Sequence, residues 1–209
     1  MAQLFHVHPA DPQPRLVRRA AEILRTGGVI AYPTDSSYAL GCHIGDAIAA
    51  ERVRRIRGLG EGHLLTLVLR DLSEIGHFAR LDNWQFRIVR QGTPGPYTFV
   101  LPATREVPRR LQHPRRRTVG VRVPDHAVVR ALLAELGEPI LSSTLVLPGA
   151  TEPLNDAESI RAAVGRSVDL IIDAGACAAA LTTVIDLAVD PPAILRLGAG
   201  ALARLGLEK

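Results

Sequence analysis

Lysine is all but missing from this chain: Lys209 is the only one in 209 residues, so a formal charge of +4 rests on arginine. An arginine fork grips a phosphate or carboxylate through two hydrogen bonds at once, which a lysine point charge does not. An arginine-rich coding composition gives the same bias, so position tells more than number. Cysteine is scarce as well. Cys42 and Cys177 have no metal-ligand spacing and build no framework, which argues against a disulfide scaffold and for a reducing, cytoplasmic setting. The seven histidines, His6 and His8 among them, show no zinc spacing with those cysteines. No apolar run approaches the roughly 20 residues of a membrane helix. Met1–His6 has neither the basic start nor the apolar centre of a signal peptide. Repeats, low-complexity segments and long linkers are missing too. These absences predict one domain over residues 1–209, monomeric for want of an obvious apolar seam, with no membrane contact and no protein-bound metal.

What is present alternates between helix and strand signals. Apolar residues recur at helical spacing from Pro14 to Thr26, with Gly27-Gly28 as a stop. Val29–Tyr32 is a short strand that stops at Pro33 and delivers Thr34 and Asp35 to a sheet rim; Asp35 or Ser36 capping a turn is the plainer reading. Asp46 caps a helix to about Arg57, and Asp71 or Ser73 and then Asp82 start two more. Asn155 with Glu158 makes a capping box for a helix to about Val164. Ala127–Leu136 is a further helix. Strands are predicted at Leu64–Leu69, Tyr97–Leu101, Thr118–Val123, within Pro139–Leu147, and at Val168–Ile172, Thr183–Val189 and Ile194–Leu197. The turns between adjacent strands are too short for an all-parallel sheet, so the predicted class is α/β (α+β), a twisted mixed sheet with flanking helices.

Three constellations carry chemistry. Arg109, Arg110, Arg115, Arg116 and Arg117 crowd one segment with Glu106 as the nearby acid, a field that attracts phosphates but also the pattern of a solvated loop. No aromatic residue is interleaved, so base stacking is not supported there. Arg122 sits between Val121 and Val123 in a strand, and a guanidinium so placed needs a protein carboxylate or a bound anion to offset its desolvation. Ser142-Ser143-Thr144 puts three hydroxyls where a strand leaves the sheet, where they orient a ligand or cap their own backbone. The glycine-rich loop from Gly58 to His63 has neither the Walker nor the dinucleotide pattern. No base is placed to activate a serine.

Taken in order, Tyr32-Pro33-Thr34-Asp35-Ser36 through Gly41-Cys42, Thr93-Pro94-Gly95-Pro96-Tyr97-Thr98-Phe99, Val121-Arg122-Val123-Pro124, Ser142-Ser143-Thr144, Thr182-Thr183-Val184-Ile185-Asp186 and Ile194-Leu195-Arg196-Leu197-Gly198 resemble the threonylcarbamoyl-adenylate synthase superfamily, the YrdC-like domain. The set looks closest to its YciO branch. The resemblance implies a YrdC-like fold and a charged concave face that takes ATP or AMP with L-threonine, or an acyl adenylate, and Mg²⁺ with ATP. It also implies contact with double-stranded RNA, tRNA or rRNA, which the Arg109–Arg117 segment would serve. Synthases of this family make threonylcarbamoyl-AMP and pyrophosphate from ATP, L-threonine and bicarbonate, for tRNA modification. Carried over by position, Thr34, His63, Arg122, Ser142 and Thr182 match the threonine side, and Arg57, Thr144 and Arg196 the nucleotide side. Two motifs depart. Where synthases have Lys-x-Arg this chain has Arg57 and Leu59, and where they have Ser-x-Asn it has Thr144 and Val146. The resemblance therefore implies weak or altered synthase chemistry, including hydrolysis of threonylcarbamoyl-AMP, or a non-catalytic RNA-binding role.

Overall fold

The computed structural model describes residues 1–60 and 63–207. Its helices form where the local chemistry asks for them. Helix α1 (Pro14–Arg25) opens on a proline and buries Val17, Ala20, Ala21, Ile23 and Leu24. Asp46 caps α2 (Ala47–Arg57) by accepting the Ala49 N–H at 2.8 Å, and left-handed Gly58 closes it. Asp71, not Ser73, caps α3 (Leu72–Phe78) by taking the Ser73 and Glu74 N–H groups. Asp82 and Gln85 form a capping box on α4 (Asn83–Gly92). Helix α5 spans Ala127–Leu136. The predicted Asn155–Glu158 box on α6 (Ala157–Val164) is corrected: Asp156 is the cap, accepting the Ser159 N–H at 2.8 Å. Asn155 instead gives its carbonyl to the Cys177 N–H, which ties the helix entry to a later loop.

Among the described residues ten strands form one sheet: β1 (Gln3–His6), β2 (Ile30–Tyr32), β3 (Ala39–His43), β4 (Thr66–Val68), β5 (Tyr97–Pro102), β6 (Thr118–Arg122), β7 (Ile140–Thr144), β8 (Leu170–Asp173), β9 (Thr183–Asp186) and β10 (Ala193–Arg196). Their order is β1-β8-β2-β3-β7-β4-β6-β5-β9-β10. β1/β8, β8/β2, β4/β6 and β5/β9 pair parallel and the rest antiparallel, which makes the sheet mixed as predicted. Two strands had no local signal. β1 is four residues long and exists by pairing with β8. β3, Ala-Leu-Gly-Cys-His, is poor in strand formers but lies between the ladders of β2 and β7, and sheet context overrides propensity. Its Gly41 is a spatial requirement: an added Cβ would lie 2.7 Å from Ile140 and 2.8 Å from Tyr32.

Side-chain alternation sends Leu67, Phe99, Val121, Leu141, Ile171 and Ile185 to one face, where α2, α3, α4 and α6 cover them. On the other face Ile30, Tyr32, Ile140 and Leu170 meet Leu24 of α1 and Leu132 of α5. Those two helices cover the sheet from β1 to β7 and reach Val68 of β4. Beyond it this face carries no helix among the described residues, and its side chains line a hollow instead.

Candidate functional site

The floor of the hollow is a product of strand register. Thr66 lies between Ser142 and Gly120, Gly120 lies beside Val100, and Thr98 lies beside Val184. Small and hydroxyl-bearing side chains leave a concave space of about 680 Å³. The threonines at 66, 98 and 118 escaped the sequence reading as site residues. Their signal was present: each is a hydroxyl at an alternate, outward-facing position of an otherwise apolar strand.

Arg122 anchors one end. Its Nη2 donates to Ser36 Oγ at 3.0 Å, to Thr34 Oγ1 at 3.2 Å and to the Asp35 carboxylate. The other carboxylate oxygen of Asp35 accepts the Asp125 N–H at 3.1 Å. Between a protein acid and a bound anion, the structure supplies the acid, from the stretch after β2. One edge of the fork is still unused, because the buried Nε has no partner among the described residues. Thr34 is buried and does not line the hollow. Its hydroxyl donates to the Ser37 carbonyl at 2.6 Å, so it shapes the turn that seats Arg122.

Two more guanidinium groups reach in from the sides, and neutral groups hold both. Arg57 Nε donates to Ser143 Oγ at 3.2 Å. Arg196 donates through Nε to the Thr182 carbonyl and through Nη2 to Thr182 Oγ1, both at 2.9 Å. Thr182 Oγ1 in turn lies 3.1 Å from Thr98 Oγ1. Among the described residues that line the hollow, none is an acid. The positive charges therefore act on one another. Burial lowers the pKa of Arg57, and Arg196 lowers it further; burial and Arg122 do the same to Arg196. His63, at the mouth, has its pKa lowered by burial first and then by Arg57, Arg54 and Arg196.

The Sua5/YciO/YrdC family model, described as telomere recombination, matches residues 22–198. The chain belongs to that family. It is 51% identical over 200 residues to the YciO protein of Escherichia coli, covering 96% of this chain and 97% of that one. The crystal structure of E. coli YciO superposes with a TM-score of 0.95 at 50% identity, over 98% of this chain and all (100%) of that one. A threonylcarbamoyl-AMP synthase of Halorhodospira halophila is 33% identical over 165 residues, 78% of this chain and 85% of its own. P. abyssi Sua5, crystallised in complex with L-threonine, superposes with a TM-score of 0.89 at 26% identity, over 98% of this chain and 60% of that one.

On this family frame, the positions expected to matter mostly converge. Arg57, His63, Arg122, Ser142, Thr144, Thr182 and Arg196 all line the hollow, and Thr34 stands behind Arg122. Ser142 Oγ is fixed by the Leu40 carbonyl at 2.9 Å and the Tyr32 hydroxyl at 2.7 Å, and burial pushes that tyrosine up to about 12. The two departing motifs separate in space. Val146 faces the hollow, while Leu59 does not line it and packs against the core. Glu61 and Gly62 of the glycine-rich loop lie outside the described residues.

The basic run does not form one stripe. Arg110 donates to the Ile44 and Gly45 carbonyls at 2.9 and 3.0 Å, and Arg116 pairs with buried Asp186 at 2.5 Å. Arg109 and Arg117 line a second depression with Arg80, Arg105 and Arg116, while Arg115 does not line it. At the sheet edge Ile194, Leu195 and Leu197 are exposed along and just beyond β10, an apolar seam that the sequence reading did not anticipate. Among the described residues no group of three or more His, Cys, Asp or Glu side chains could hold a metal, and no helix is long and apolar enough to cross a membrane.

Proposed function

We propose that the hollow binds an adenosine phosphate together with L-threonine, or the acyl adenylate that joins them, in the cytoplasm. The observation that carries this is two guanidinium groups, Arg57 and Arg196, without a carboxylate partner among the described residues, facing a hydroxyl-lined space beside Arg122, whose charge Asp35 answers. Such a space is short of negative charge, and a ligand bearing phosphate and carboxylate groups supplies it. Arg57 and Arg196, with Thr144, would take the phosphates. Arg122, Ser142 and Thr182, with His63 at the mouth, would take the amino acid. Preorganised donors held by neutral partners cost little reorganisation when charge moves during acyl or adenylyl transfer. Mg²⁺ would enter coordinated by the phosphates of ATP, because the described lining offers it no carboxylate.

Val146 puts an apolar group where an amide would touch the ligand, and Leu59 brings no charge to the hollow. We therefore read the activity as weakened formation of threonylcarbamoyl-AMP, or as its hydrolysis. Calorimetric titration with ATP and Mg²⁺, with and without L-threonine and bicarbonate, tests binding, and pyrophosphate release on the same sample tests turnover. Threonine-dependent pyrophosphate supports synthesis. Binding without it, with AMP released from added threonylcarbamoyl-AMP, supports hydrolysis. Absence of any nucleotide binding refutes the reading. A second reading, binding of double-stranded RNA as in tRNA or rRNA, rests on Arg109, Arg115 and Arg117, which have no carboxylate partner among the described residues. It predicts salt-dependent duplex binding with no catalysis.

A further inference from the structure

Beyond the hollow, the structure has a second depression of about 710 Å³, and the two share no lining residue. It lies where β5 ends and β6 begins. Arg80, Arg105, Arg109, Arg116 and Arg117 all line it, and no acid does among the described residues. Only Arg116 has a carboxylate within 4.0 Å, the buried Asp186; the other four have none among the described residues.

The frame under these arginines is stitched, not loose. The Arg80 N–H donates to the Pro102 carbonyl at 2.8 Å, the Thr104 N–H to the Phe78 carbonyl at 2.9 Å and the Ala103 N–H to the Arg117 carbonyl at 2.8 Å. Arg109 stands on a short turn anchored by buried Leu111. His113 Nδ1 accepts the Arg115 and Arg116 N–H groups, folding the segment into a tight turn. Arg117 is the only described non-glycine residue with a left-handed backbone, at φ 53°. Glycine would adopt that conformation without a side-chain clash, so the position keeps a guanidinium against the local steric preference.

We propose that this depression is a second anion site, separate from the hollow, for a compact multiply phosphorylated ligand. Cations from separate segments converge on one concavity, which suits a dense small anion. A nucleic-acid backbone calls for an extended row of cations, and Arg110, which would continue such a row, is turned onto backbone carbonyls. The lining has no aromatic side chain for a base to stack on. This second site stands whether or not the hollow takes an adenylate.

Calorimetry with inorganic tripolyphosphate as the probe, on the full chain, tests it. The unaltered protein is expected to show two sites. Arg109→Ala with Arg117→Gly, the latter keeping the left-handed backbone, leaves only the hollow and weakens the second site by about tenfold or more for each charge-assisted hydrogen bond removed. Arg57→Ala with Arg196→Ala leaves only the depression, whether or not the hollow binds adenylates. One site, abolished by the Arg57 and Arg196 changes and untouched by the Arg109 and Arg117 changes, overturns the proposal. So does a short RNA duplex whose binding falls in the Arg109 and Arg117 variant while tripolyphosphate binding does not.

Discussion

Replacing Arg122 by methionine separates two roles that one residue plays. Its side chain is 6% exposed and that of its partner Asp35 11%, so the pair is desolvated on both sides. Removing the guanidinium leaves the Asp35 carboxylate with the Asp125 N–H as its one remaining partner among the described residues, and Ser36 and Thr34 lose a donor. Breaking a buried pair from one side costs about 3–5 kcal/mol, against a total stability of about 5–15 kcal/mol for a domain. Arg122→Met should therefore stay folded in buffer but unfold at distinctly lower urea. Asp35→Asn with Arg122→Met removes both charges and should regain most of the loss, because matched neutral groups carry no uncompensated charge. Ligand affinity should behave differently. Single and double variants should both bind L-threonine about 10- to 100-fold more weakly, the value of a charge-assisted hydrogen bond. Urea unfolding by circular dichroism and calorimetric titration supply the two readings. A single variant within about 1 kcal/mol of the unaltered protein, or a double variant no more stable than the single, would refute the reasoning.

The remaining predictions concern the rim of the hollow. His63 has a lowered pKa in the folded protein, so its contribution to stability is present above the ordinary histidine value of about 6.5 and is lost as pH falls through and below it. A phosphate bound between Arg57 and Arg196 offsets their repulsion and raises that pKa, so ATP affinity should increase as pH falls from about 7.5 to about 6, and His63→Asn should flatten the trend. Gly198→Ala should destabilise by about 1–3 kcal/mol and weaken ATP binding, since the new Cβ collides with the Leu181 and Thr182 backbone that seats Arg196; urea midpoints and titration check it. Val146→Asn puts an amide into the hollow and should raise threonine-dependent pyrophosphate release by about 10²-fold if that group contacts the transition state, whereas Leu59→Arg alone should change it little.

Much of the site was legible because its signals are short-ranged. Asp46, Asp71 and Asp82 act as caps within three residues of themselves, and the valines beside Arg122 mark a strand without reference to anything distant. The one misplaced cap shows the limit. Asn155 and Asp156 are equally suited locally, yet Asp156 accepts the Ser159 N–H while the Asn155 carbonyl takes the N–H of distant Cys177. β3 was invisible for a related reason: its Gly41 fits against Tyr32 and Ile140 and does not favour a strand.

By itself the sequence determined most of the helix caps, the mixed α/β class, the family, and seven of the residues that meet in the hollow. Each of these follows from patterns spanning a few residues or from an ordered set of motifs. The tertiary structure alone decided that Arg122 answers Asp35 across 87 residues of chain. It also left half of one sheet face bare, and it divided the arginine run between backbone carbonyls, a buried aspartate and a second depression. Those outcomes depend on strand order and register, which place residues distant in sequence side by side, and no local propensity encodes them.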